Sequence, residues 1–201
     1  MNFQEFRNKW FDLGCISSDQ IYAWRPDFDK NNISYWSKKG LIIKLRNGFY
    51  LFPEYKTRSG FAFYVANKIY RPSYISLHSA LAFYGMIPES VVQITSVTSR
   101  KTASFSNAVG EFSYKTVKPD LMFGYDVKAI AEGHSFFLAK PEKALIDLLY
   151  LYPFYNTKSE IEELRLDMDF IHNELNINLL KEYLIQINCK ALENRVKLII
   201  N

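Results

Sequence analysis

Two short stretches of the chain hold acidic and basic groups close enough to do chemistry. Pro119-Asp120 followed by Asp126-Val127-Lys128 fits the letter pattern of nucleases that hold a divalent cation with two carboxylates beside a lysine. Only five residues, Gly124 among them, separate the two Asp, which reads as a turn or bulge rather than an active site. The second stretch is "PEKALID", where Pro141 opens a helix and Lys143 and Asp147 stand four apart. Glu142, Lys143 and Asp147 are either part of a contact surface or the charges of a capped, ion-paired core helix. His78, His134 and His172 are widely spaced and form no metal-ligand pattern. There is no glycine-rich phosphate loop and no nucleophile elbow. The chain is not expected to be an enzyme, and no metal or cofactor is expected.

A third set of residues offers recognition rather than catalysis. Lys30, Asn31, Ser34, Tyr35 and Lys38 fall in one short run, and Lys44, Arg46 and Asn47 follow closely. Asn pairs with adenine in two places, and the short polar Asn31 and Ser34 suit base edges near a helix start. Lys30 and Lys38 suit phosphates, which position a protein without specifying sequence. Arg46 suits a minor groove or a phosphate, and Lys44 and Tyr50 suit the nucleic-acid backbone. The competing reading makes Lys38-Lys39 favourable charges at a helix C-terminus and Asn32 local turn chemistry.

Those residues need elements to position them. Phe3, Phe6, Trp10 and Leu13 recur at helical spacing until Gly14. Ser17 with Gln20 is a capping-box pattern for a second helix, which Pro26 ends. Asp29 caps a third, "KNNISYWSKKG", with Ile33 and Trp36 inward and Gly40 as its stop. "LIIKL" and "FYLF" then flank Arg46-Asn47-Gly48, and Asn-Gly is the strongest short hairpin signal. Three short helices and a hairpin predict a winged helix-turn-helix over residues 1–56. "PEYKTRSG", Pro53 to Gly60, reads as a polar link.

Residues 57–201 read as a second, α+β domain, with a largely antiparallel sheet in the middle and a helical tail from about residue 158. "VVQITSVT", "EFSYKTV", "LMFGYDV" and "SFFLA" predict strands, and "SRKTASFSNAVG" a polar connection. Ser76 is expected to cap "SLHSALAFYG". In the tail, Ser159 with Glu162 predicts another capping box, and Leu179, Tyr183, Leu184 and Ile187 one apolar stripe.

Composition fits a globular chain: of 201 residues, 48% are hydrophobic and 23% charged. Residues 1–60 hold ten Lys/Arg against six Asp/Glu, so the whole net charge of +4 sits in the first third, which points to a polyanion partner there. Cys15 and Cys189 are far apart and read as reduced, buried thiols. The opening "MNFQEFRNKW" has no apolar signal core, and no run approaches a membrane span. A cytoplasmic, soluble protein is expected.

Four motifs in order, "LIIKLRNGFYLF", "YISLHSALAFYGMIPE", "ITSVTSRK" and "FLAKPEKALIDLLYLYP", resemble the successive signatures of AbiEi-type antitoxins. These are the regulatory half of abortive-infection (type IV) toxin–antitoxin pairs, and the resemblance runs from about Phe11 to Tyr152. It implies an N-terminal winged helix that binds double-stranded DNA at its own promoter and represses its operon. It also implies a C-terminal domain that antagonises a nucleotidyltransferase-like toxin without a stable complex. The light basic charge of the third helix, with Asp27 and Asp29 just before it, implies two copies on paired sites. The antitoxic surface is expected at Arg100 and Lys101 in the polar loop and at Glu142, Lys143 and Asp147. The alternative is a winged-helix regulator whose second domain binds a ligand or a protein partner.

Overall fold

A computed structural model describes residues 1–89 and 91–200. Helix α1 (Phe3–Trp10) begins with a capping box between Asn2 and Glu5. It leads through Gly14 into β1 (Cys15–Ser17), and Ser17 then caps α2 (Ser18–Trp24) reciprocally with Gln20. The Asp29 carboxylate accepts from the Asn31 amide at 2.9 Å and starts α3 (Lys30–Lys38). Strands β2 (Ile43–Arg46) and β3 (Phe49–Leu51) follow. The three strands form an antiparallel sheet in the order β1-β3-β2. Gly48 turns the hairpin at φ +79°, a conformation suited to glycine. Its carbonyl accepts from the Ser18 amide at 2.7 Å, tying the hairpin tip to the head of α2.

The helices and sheet close on aromatic rings. Phe6 is fully buried, with Trp36 at 4.7 Å between ring centroids, Phe28 at 6.0 Å and Phe52 at 6.1 Å. Ile33 and Trp36 both point inward, as the helical spacing of "ISYW" predicts, and this leaves the opposite face of α3 to solvent. Strand β1 has no counterpart among the sequence-based expectations; three residues are too few to show alternation.

The stretch from Pro53 to Gly60 is not a loose link. Tyr55 is buried, its ring 4.8 Å from Phe61 and 5.6 Å from His134. Beside it Gly14, at φ +62°, lies so close to the Phe61 ring that a Cβ there would collide with it. The Tyr64 hydroxyl donates to the Leu13 carbonyl at 2.9 Å. Residues 1–56 therefore pack against the rest of the chain.

That remainder is built on a six-stranded sheet in the order β6-β7-β5-β4-β9-β8. The strands are β4 (Ser73–Ile75), β5 (Gln93–Thr98), β6 (Ala103–Asn107), β7 (Gly110–Thr116), β8 (Tyr125–Ala129) and β9 (Ser135–Ala139). Three ladders are antiparallel and two parallel, so the sheet is mixed. The "polar connection" holds β6, which alternates exposed serines with half-buried Ala103 and Phe105 as an edge strand does.

Helices α4 (Phe61–Ile69), α5 (Leu77–Phe83) and α6 (Pro141–Leu151) pack on this sheet or on one another. The tail holds α7 (Lys158–Glu162), α8 (Met168–Asn173), α9 (Ile177–Ile187) and α10 (Lys190–Ile200). Its capping box is Thr157 with Glu160, not Ser159 with Glu162. In α9 Leu180 and Leu184 are buried, with Tyr183 and Ile187 half-buried beside them. Among the described residues no helix is long and apolar enough to cross a membrane.

Candidate nucleic-acid interface

With Ile33 and Trp36 turned inward, Lys30, Asn31, Ser34, Tyr35 and Lys38 are all exposed on α3. Lys30, Ser34 and Lys38 run along one line of the helix at spacings of four, and Asn31 and Tyr35 along the next. Tyr35 is 57% exposed, and the Lys39 ammonium lies 5.8 Å from its ring. Lys39 belongs with this face, although the sequence marks it only as a charge at a helix end.

The two acids before α3 are engaged locally. Asp29 is the N-cap, and Asp27 pairs with Arg25 at 3.2 Å. Among the described residues Lys30, Lys38, Lys39 and Lys44 form no ion pair. The face thus combines short polar groups near a helix N-terminus with cations at both ends of the helix that form no ion pair among the described residues.

The hairpin contributes less than its sequence suggests. Lys44 and Asn47 are exposed, and Tyr50, opposite Lys44 in the ladder, is half-buried. Arg46 is a correction. The register shifts between Lys44 and Arg46, so Leu45 bulges and Arg46 pairs with Phe49 instead of sharing a face with Lys44. Its guanidinium faces the second part of the chain. Nη1 donates to the Ile69 carbonyl at 2.7 Å, and Cζ sits 4.3 Å from the Phe105 ring centroid. Arg46 is not a free cation at the hairpin tip; it joins the hairpin to α4 and β6. Arg46→Ala is accordingly expected to lower stability by about 1.5–3 kcal/mol, the range for a hydrogen bond to a charged group. It should leave the salt dependence of any DNA complex unchanged. Thermal unfolding and a binding series in salt check the two halves of that expectation.

Glu142, Lys143 and Asp147 are a second correction: all three are buried, so they form no antitoxic surface. Glu142 Oε1 accepts from the Asn176 amide at 2.8 Å and fastens α6 to the head of α9. Lys143 Nζ donates to Asp147 and, at 2.9 Å, to the Tyr74 hydroxyl. Asp147 accepts in turn from Tyr74 at 2.9 Å and from Ser76 Oγ at 2.8 Å. Ser76 stands at the N-cap of α5 as expected, but its hydroxyl makes no cap bond and donates here instead. Burial pushes the Asp147 carboxyl above the usual aspartate range, and the Lys143 charge opposes this only in part. The group is a closed core network, which the core-helix reading of "PEKALID" anticipates.

Arg100 and Lys101 remain at the surface. Arg100 Nη1 donates to the Arg71 carbonyl at 3.2 Å, and the Lys101 carbonyl accepts from Tyr70 at 2.7 Å.

The nuclease-like letters are scattered. Asp120 is exposed in a short 3-10 turn, while Asp126 is exposed on β8, 3.9 Å from Lys140 Nζ. Among the described residues no three His, Cys, Asp or Glu come together as metal ligands would. His78 is half-buried beside Tyr152, and burial lowers its pKa. His134 is buried among Tyr55, Phe61 and Tyr64. Both cysteines are free; Cys15 is buried as expected, its thiol pushed up to about 12, whereas Cys189 is only half-buried. Comparison of the chain with protein-family models finds no match, and comparison with curated proteins finds none either.

Proposed function

We propose that residues 1–56 form a winged helix-turn-helix that binds double-stranded DNA through the exposed face of α3, and that the chain is an autorepressing antitoxin of the kind its motifs resemble. The observation that carries this reading is the α3 face: Asn31 and Ser34 near the N-terminus, Lys30 and Lys38 beside them, all exposed and free of ion pairs among the described residues. The element order, with a strand before α2 and a sheet ordered β1-β3-β2, supports it. Asn31 and Ser34 meet base edges, Lys30, Lys38 and Lys44 meet phosphates, and Tyr35 and Asn47 flank them. Two copies on paired sites supply the affinity that one lightly charged helix lacks. Residues 57–201 carry the antitoxic function against a nucleotidyltransferase-like toxin, with Arg100 and Lys101 as its surface residues.

Full-length chains test this division, because the two parts pack together. A reporter driven by the DNA upstream of this reading frame measures repression. Co-expression with the nucleotidyltransferase-like product of an adjacent frame measures rescue of growth. N31A/K38A is expected to lose repression and keep rescue; R100Q/K101Q is expected to do the reverse. Loss of both by either variant contradicts the division. A second reading, a regulator whose residues 57–201 serve to bind a ligand, is favoured by one observation: a basic cleft at the junction of the two parts.

A further inference from the structure

Between the hairpin and the second part of the chain lies a cleft of about 300 Å³. Four cations line it: Arg46 from β2, Lys68 from α4, Arg71 from the turn after α4, and Arg100 from the turn after β5. Asp19, at the start of α2, is the one acid on its wall among the described residues. None of the four cations forms an ion pair among the described residues. Like charges gathered this way repel, and burial followed by the Arg71 charge lowers the pKa of Lys68. Among the described residues Asp19 is the one carboxylate on the wall to oppose that repulsion.

The guanidinium groups are also held in place. Arg46 gives one donor to the Ile69 carbonyl, Arg71 gives Nε to the Asn67 carbonyl at 3.3 Å, and Arg100 gives Nη1 to the Arg71 carbonyl. Each guanidinium carries five N–H donors, so most remain for another acceptor. Arg100 is further braced over the Tyr70 ring at 4.9 Å, and Arg46 over Phe105. Oriented guanidinium forks in a concave site match the oxygens of a phosphate, and orientation in advance lowers the entropy lost on binding.

We infer that this cleft binds a small phosphorylated molecule through Arg46, Lys68, Arg71 and Arg100. The volume lies at the lower end of the range for small-molecule sites. It suits a pyrophosphate or the phosphate end of a metabolite. Because Arg46 comes from the hairpin and the other three cations from the second part, the occupant bridges the two parts of the chain. Binding in this cleft does not require that α3 read DNA.

The test is calorimetric titration of the full chain with inorganic pyrophosphate at fixed ionic strength, together with thermal unfolding. Saturable one-site binding and a raised melting midpoint are expected, since a ligand that binds only the folded chain stabilises it. K68Q/R71Q should weaken binding at least about tenfold, in line with the loss of charge-assisted hydrogen bonds. R71Q alone, at an exposed position, should move in the same direction with the fold intact. K181Q/K197Q, which removes the same charge outside the cleft, should leave binding unchanged. Absence of saturable binding at millimolar pyrophosphate, or equal losses in both double variants, overturns the inference. So does a third outcome: promoter DNA displaces pyrophosphate, and K68Q/R71Q lowers the salt slope of DNA binding. The cations would then be a contact for the DNA backbone. Loss of base preference in N31A bears on the DNA reading alone, so the two can fail separately.

Discussion

Lys143→Met is expected to destabilise the chain by about 3–5 kcal/mol, the range for removing one partner of a buried ion pair. For a chain of this size that is a fall in melting midpoint of roughly 10 °C. The cause is local. Asp147 is 2% exposed, and without Lys143 its charge keeps, among the described residues, the hydroxyls of Tyr74 and Ser76. A methionine fills a similar volume but donates nothing. K143M/D147L is expected to be more stable than K143M alone, because it removes the stranded charge together with its partner. It should still fall short of the wild type, since Tyr74 and Ser76 lose their acceptor.

The loss in K143M should also depend on pH. Burial places the folded pKa of Asp147 above its unfolded value. The native chain therefore holds that proton more tightly than the unfolded chain. Ionisation costs stability as pH rises from the unfolded pKa to the folded one, and the cost vanishes below the lower value. Removing Lys143 takes away the opposing charge and widens the window upward. The gap between wild type and K143M is expected to be largest near neutrality and to shrink on acidification towards the ordinary aspartate range. Urea unfolding across that range reads it directly. A gap that widens on acidification contradicts the assignment.

Asn31→Ala is expected to remove about 1–3 kcal/mol of discrimination between the correct and the wrong base, the range for one bidentate contact. Non-specific affinity should stay the same. Lys38→Ala is expected to do the opposite: weaker binding to every sequence and a salt slope reduced by about one. The contrast comes from position. Asn31 stands in the first turn of α3, with its backbone amide held by Asp29, whereas Lys38 ends the helix about two turns away.

Local patterns make this face legible in the sequence. The N-caps at Ser17 and Asp29, the inward pair Ile33 and Trp36, and the Asn-Gly turn each depend on residues within a few positions of one another. Features set by distant partners are not legible. The sequence near Arg46 shows nothing of the bulge that aims it at Ile69, 23 residues on, nor of Phe105 beneath it. "PEKALID" shows an i, i+4 charge pair but not that Tyr74 and Ser76, some seventy residues earlier, close over it. Lys68 and Arg71 carry no signal, because residues 61–201 balance fifteen basic against fifteen acidic groups. Strands β1 and β4 have three residues each, and β6 hides in a Ser/Thr-rich run. In the tail, Thr157-x-x-Glu160 and Ser159-x-x-Glu162 both spell a capping box; Glu160 also accepts from the Asn156 amide at 3.0 Å, and helix α7 starts at the first of the two.

Whether α3 reads DNA is decided by one competition experiment. The full chain is titrated across a series of salt concentrations with the DNA upstream of its own reading frame and with a scrambled duplex of equal length. Tighter binding to the upstream DNA is expected at every salt, with affinity that falls as salt rises and a preference that is lost in N31A. Equal affinity for the two duplexes, or an undiminished preference in N31A, would contradict it.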